Sequence, residues 1–129
     1  MVVMKKWIST AALLALTAVV LGALGAHALE EKLDPAQLES FKTGVRYQMW
    51  HALALLLLPA LPLNKGKNQI AWLWTLGILL FSGSIYLLST RLLHGWPVAW
   101  LGPVTPVGGL LFMAGWLLLA LFAWPRKSR

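Results

Sequence analysis

The sequence predicts an all-α membrane protein: a bundle of four transmembrane helices, with an amphipathic interfacial helical segment between helices 1 and 2. Three observations carry this. The 129 residues are 59% hydrophobic and only 12% charged, with a mean hydropathy of +0.72. A water-soluble chain this short cannot bury so much apolar surface, because small chains bury proportionally less of it. The apolar residues fall into four runs near the length that crosses a bilayer core, about 20 residues at about 1.5 Å each. Finally, the basic residues lie unevenly between alternate connections.

The first span, residues 7–29, follows Lys5 and Lys6. Ala26-His27-Ala28 imitates a signal-peptide cleavage site, but the apolar run exceeds the roughly 7–15 residues of a signal h-region, so a retained helix is expected. Ala18, Gly22 and Ala26 form a small-residue row that admits a neighbouring helix. The polar stretch from Glu30 to Gln48 comes next. Asp34 and Pro35 are an N-cap and first helical residue, and Gln37 is placed to complete a capping box. The first turns of this helix are expected to lie at the interface, with Gly44 as a place for a bend. The second span, 45–61, closes at Pro59 and Pro62. The third, 70–88, follows a turn with Lys65 and Lys67, and Ser82-Gly83-Ser84 is expected to ease helix approach, its hydroxyls bonding back to their own turn. Residues 91–104 are an interfacial loop. The fourth span, 105–124, opens on Thr105-Pro106 as N-cap and N1 and stops at Pro125. Most of the eight Trp lie near the ends of these runs, where an indole keeps its N–H near water.

With the N-terminus inside, Lys5, Lys6, Lys65, Lys67, Arg126, Lys127 and Arg129 are cytoplasmic, against Lys32, Lys42, Arg46 and Arg91 outside. Seven basic residues against four orient both termini to the cytoplasm. The net charge of +7 therefore serves topology and anionic lipid rather than nucleic acid. The chain has no cysteine, which excludes disulfides, thiol nucleophiles and iron–sulfur clusters.

Polar residues within spans are candidates for function or for helix-to-helix bonding. Those of all four spans fall toward the outer half: His27, Arg46, Tyr47, His51, Ser82, Ser84, Tyr86 and Thr105. A shared ligand-binding pocket there, or a proton relay through His27 and His51, is geometrically allowed. No span contains a carboxylate, so neither a usual metal-ligand set nor the acid of a proton-coupled exporter is present. Nucleophilic triads, phosphate loops and paired carboxylates are missing too. The expectation is a non-enzymatic structural or accessory protein without cofactor or metal, its partners being the lipid bilayer and, through small-residue faces, a second copy or another membrane protein. The alternative is a small-solute, ion or proton transporter or binding protein using the outer polar pocket.

Four blocks together resemble the YgdD-like family of small bacterial inner-membrane proteins, a domain-of-unknown-function family with small eukaryotic transmembrane relatives. They are Gly22-Ala23-Leu24-Gly25-Ala26-His27-Ala28-Leu29, Thr43-Gly44-Val45-Arg46-Tyr47-Gln48-Met49-Trp50-His51-Ala52-Leu53, Phe81-Ser82-Gly83-Ser84-Ile85-Tyr86, and Thr105-Pro106-Val107-Gly108-Gly109 with Gly115-Trp116. Leu24 stands where the family has Phe. The resemblance implies a multi-pass protein of the bacterial inner membrane with an uncleaved first span, and implies no activity.

Overall fold

Asp34 begins the second helix as its sequence predicts, but the expected capping box is only half formed, since among the described residues the Gln37 side chain does not return a bond to the Asp34 N–H. The Asp34 carboxylate accepts the backbone N–H of Gln37 at 2.9 Å, with Pro35 as first helical residue. This is one element of a computed structural model that describes residues 2–125. The basic tail Arg126, Lys127 and Arg129, expected to anchor topology, lies outside the described residues. The elements are α1 (Val2–His27), α2 (Pro35–Leu57), α3 (Lys67–Ser89), a short α4 (Arg91–His94) and α5 (Val104–Ala123). Single 3₁₀ turns occupy Leu58–Ala60 and Ala99–Leu101. No strand occurs among the described residues.

Three stretches are long and apolar enough to cross a membrane: Val2–His27, Lys67–Ser89 and Ala99–Ala123. α2 has 23 residues, but Glu39, Lys42 and Arg46 occupy its first half. The expected interfacial segment is no separate element; it runs without interruption into the rest of α2. Gly44, expected at a bend, instead gives close approach, since a Cβ there would meet the Tyr86 and Ile85 side chains of α3 at 2.9 and 3.1 Å. The expected loop 91–104 carries α4 and a 3₁₀ turn. Thr105 does not cap α5, which begins one residue earlier behind Pro103; its hydroxyl is engaged by Ser84 of α3.

The helices run antiparallel in chain order. Gly25 and Gly22 of α1 lie against Phe41 and Val45 of α2. The small-residue stripe facing α2 is thus Ala18, Gly22 and Gly25, not Ala18, Gly22 and Ala26: Gly25 is buried, whereas Ala26 is exposed because a step of eight residues turns it off the face. α3 and α5 interlock more tightly. A Cβ on Gly77 would meet Phe112, one on Gly108 would meet the backbone of Phe81, and one on Gly115 would meet the Trp74 indole. Each residue gained along α3 is matched by one lost along α5, so bulky rings of each helix seat on glycines of the other.

Two ends can be distinguished. The basic end carries Lys5, Lys6, Lys65 and Lys67, and is closed by a bond from the Trp7 indole N–H to the Asn68 amide oxygen at 2.9 Å. Lys67 also donates to the Pro59 carbonyl at 2.8 Å, satisfying a group that the α2 terminus leaves open. Gly66 adopts φ 86°, and Phe122 lies where its side chain would be. Trp7 and Trp74 are 1% exposed and belong to the core with Leu55, Leu58, Ile70 and Phe112. The loop end carries residues 28–34 and 90–103, beneath which Leu29, Leu33 and Phe41 form a smaller cluster. Midway, α3 widens into a single π turn, Ile78–Ser82, where the Gly83 N–H reaches the Ile78 carbonyl.

Candidate functional site

The polar side chains of the bundle form three sets. The central one is built on Gln48, a residue whose place at the end of the polar stretch 30–48 disguised it as interfacial. It is 4% exposed. Its amide nitrogen donates to the Leu14 carbonyl and to the Thr17 hydroxyl, both at 2.8 Å, and its amide oxygen accepts from the Tyr86 hydroxyl at 2.7 Å. Both donors and the acceptor of one amide are thereby used, and α1, α2 and α3 are tied at one level. Ser82, expected to bond back within its own turn, instead donates across to the Gly44 carbonyl of α2 at 2.7 Å. The close approach that Gly44 permits makes this bond possible.

The second set surrounds His51 on the same helix, nearer the basic end. An indole N–H only donates and a carbonyl only accepts. The Trp116 indole lies 3.0 Å from His51 Nε2, and the Tyr47 carbonyl 2.8 Å from His51 Nδ1. The network therefore assigns the proton to Nδ1, and His51 is neutral with both ring nitrogens occupied. Its ring stacks on Phe112 at 3.6 Å between centroids. Tyr47, His51, Phe81, Phe112, Met113 and Trp116 line a shallow cleft of about 290 Å³.

The third set lies at the loop end. Ser84 donates to the Phe81 carbonyl at 3.0 Å. Its single proton is thus used, and Thr105 is the donor in the 2.5 Å bond between the two hydroxyls. His94, not among the expected candidates, is committed as well: it bonds the Leu87 carbonyl through Nε2 at 3.0 Å and accepts the Trp96 backbone N–H at Nδ1.

Of the expected residues, the structure joins Tyr47 to His51, Ser84 to Thr105, and Ser82 and Tyr86 to α2. It does not join His27 or Arg46 to them. His27 is exposed at the end of α1, beside the first turns of α2. That level is about twelve residues, or roughly 18 Å, from His51, too far for a direct proton relay. Arg46 is exposed and bonds Glu39 at 2.7 Å, reaching back toward the loop end as a side chain on this helix should. The guanidinium holds the Glu39 carboxyl below its usual range. Among the described residues, no three of His, Cys, Asp and Glu gather as a metal site.

An all-helical chain with three crossing-length apolar helices and polar side chains bonded between them defines an integral membrane protein. The chain belongs to the DUF423 family of proteins of unknown function, whose profile matches residues 21–109. It is similar to the UPF0382 membrane protein YwdK of Bacillus subtilis (strain 168), with 40% identity over 93% of this chain and 97% of that one. A UPF0382 membrane protein of Haemophilus influenzae (strain Rd) is 39% identical over 96% and 98% of the two chains. The UPF0382 inner membrane protein YgdD of Escherichia coli (strain K12) is 39% identical over 81% and 79%. No solved structure matches the chain.

Proposed function

We propose that this chain is a non-enzymatic accessory protein of the bacterial inner membrane that crosses the bilayer four times with both termini in the cytoplasm. The carrying observation is that the two most polar side chains buried among the helices are fully bonded: the Gln48 amide and both His51 nitrogens are used within the bundle. Groups already paired in this way have little hydrogen-bonding capacity left to offer a ligand. The Trp74 indole N–H and the Thr75 hydroxyl are the buried polar groups without a partner among the described residues. The fourth crossing is supported by α2 lying antiparallel and coextensive with α1, its charges confined to the loop-end half. The inner membrane is supported by the name of the E. coli relative.

Because the chain has no cysteine, single Lys32→Cys, Lys65→Cys and Ser128→Cys variants test the topology directly. An impermeant maleimide applied to intact spheroplasts should label only the first. Labelling of Ser128→Cys from outside would leave an odd number of crossings. For the accessory role, His51→Phe should lower thermal stability in detergent, while a panel of metals and small anions shifts wild type and variant alike. A shift specific to wild type would replace the accessory reading with a ligand-binding one.

A further inference from the structure

A cleft of about 330 Å³ opens at the loop end between the first turns of α2 and the end of α3. It is separate from the paired groups around Gln48 and His51 and independent of the accessory reading. We propose that it binds the phosphate of a phospholipid headgroup. Three of its lining residues carry donor groups: Arg91 a guanidinium, Gln37 an amide and Ser40 a hydroxyl. Among the described residues none of these side chains has a hydrogen-bond partner, and the Arg46–Glu39 ion pair leaves Arg91 out. A guanidinium beside neutral donors is the usual recognition set for a phosphate oxyanion.

Two further lining residues present lone pairs instead. The Ser89 proton goes to the Ile85 carbonyl at 2.7 Å, and the Thr105 proton to Ser84. Both hydroxyl oxygens can therefore accept from a headgroup that itself carries donors, such as glycerol hydroxyls or an ethanolamine ammonium. Choline has none to offer. Ile85 and Leu88 complete the lining with an apolar wall, which suits the acyl part of a lipid better than free phosphate. Ser89 is the last residue of a membrane-crossing helix, so the cleft sits at headgroup depth.

Native mass spectrometry of delipidated protein with dioleoyl phosphatidylglycerol, phosphatidylethanolamine and phosphatidylcholine tests this. The glycerol and ethanolamine lipids should bind about tenfold more tightly than the choline lipid. Arg91→Gln should remove at least about tenfold of the phosphatidylglycerol affinity, the loss expected for one charge-assisted contact. Lys32→Gln, another cation at this end, should leave it within twofold. If Arg91→Gln fails to fold, Ser40→Ala carries the comparison with a loss of about threefold. Millimolar inorganic phosphate that displaces the lipid in an Arg91-dependent way would keep the phosphate chemistry and reassign its source to the free ion. Equal binding of all three lipids, or unchanged phosphatidylglycerol binding in Arg91→Gln and Ser40→Ala, would overturn the proposal.

Discussion

α3 meets its two neighbours by different means. Toward α5 the contact is steric: Trp74 and Phe81 seat on Gly115 and Gly108, and Phe112 returns the favour at Gly77. Toward α2 it is polar: Ser82 bonds the Gly44 carbonyl and Tyr86 the Gln48 amide. Lipid tails are as apolar as leucine, so neither face gains from the hydrophobic effect that drives soluble helices together. One uses van der Waals density, and the other adds hydrogen bonds to the close approach that Gly44 allows. The difference teaches which kind of substitution each face tolerates, because a steric seat fails when something is added and a polar contact when something is removed.

The largest effect is expected at Gly108→Leu. The added atoms would land on the Phe81 backbone, which cannot turn aside as a side chain can, and the cost should reach about 3 kcal/mol or more in reversible unfolding from mixed micelles. A cost under about 1 kcal/mol would show that α3 and α5 can separate without loss. Gln48→Leu should cost about 1–2 kcal/mol, within the range of bonds between membrane helices. Tyr86→Phe added to it should cost almost nothing more, because the phenol has already lost its partner; additive losses would contradict the shared amide. Trp116→Phe should cost about 0.6 kcal/mol. It should also move the ¹⁵N resonance of His51 Nε2, which loses its donor, more than that of Nδ1. The smallest effect is expected at Arg46→Gln. The pair it breaks is exposed, and its contribution is fully present only above the ordinary carboxylate range of Glu39. It should fade as pH falls through the lowered Glu39 value and shrink with added salt. Melting curves at pH 3 and pH 7, at two salt concentrations, check this.

Local chemistry made parts of this architecture readable. Asp34-Pro35 announces a helix start whatever surrounds it, and Pro59 and Pro62 announce an end. The approximate limits of α1, α3 and α5 follow from apolar run length. What depends on the partner was not readable. Ser82 looks like any serine that bonds its own preceding turn, and only the depth to which Gly44 lets α3 approach redirects it. Gln48 follows Arg46 and Tyr47 in a polar stretch, so its inward aim is invisible until α1 is placed beside it. The pairing of Gly77, Gly108 and Gly115 with particular rings is a register between distant helices, and glycine alone does not name its partner. His27 and His51 show the converse: similar residue type and a shared half of the membrane suggested proximity, and helix rise separates them.

The Trp7–Asn68 bond has a consequence for how the molecule is made. Its partners are separated by 61 residues, while the Gln48–Thr17 contact spans 31. At roughly 5–20 residues synthesised per second, the indole waits about 3–12 s after its own appearance before Asn68 exists. The α1–α2 hairpin can close its amide contact during that interval. The first helix is thus held by its neighbour before its other end is fastened, and biogenesis can proceed hairpin by hairpin, from the loop end toward the basic end.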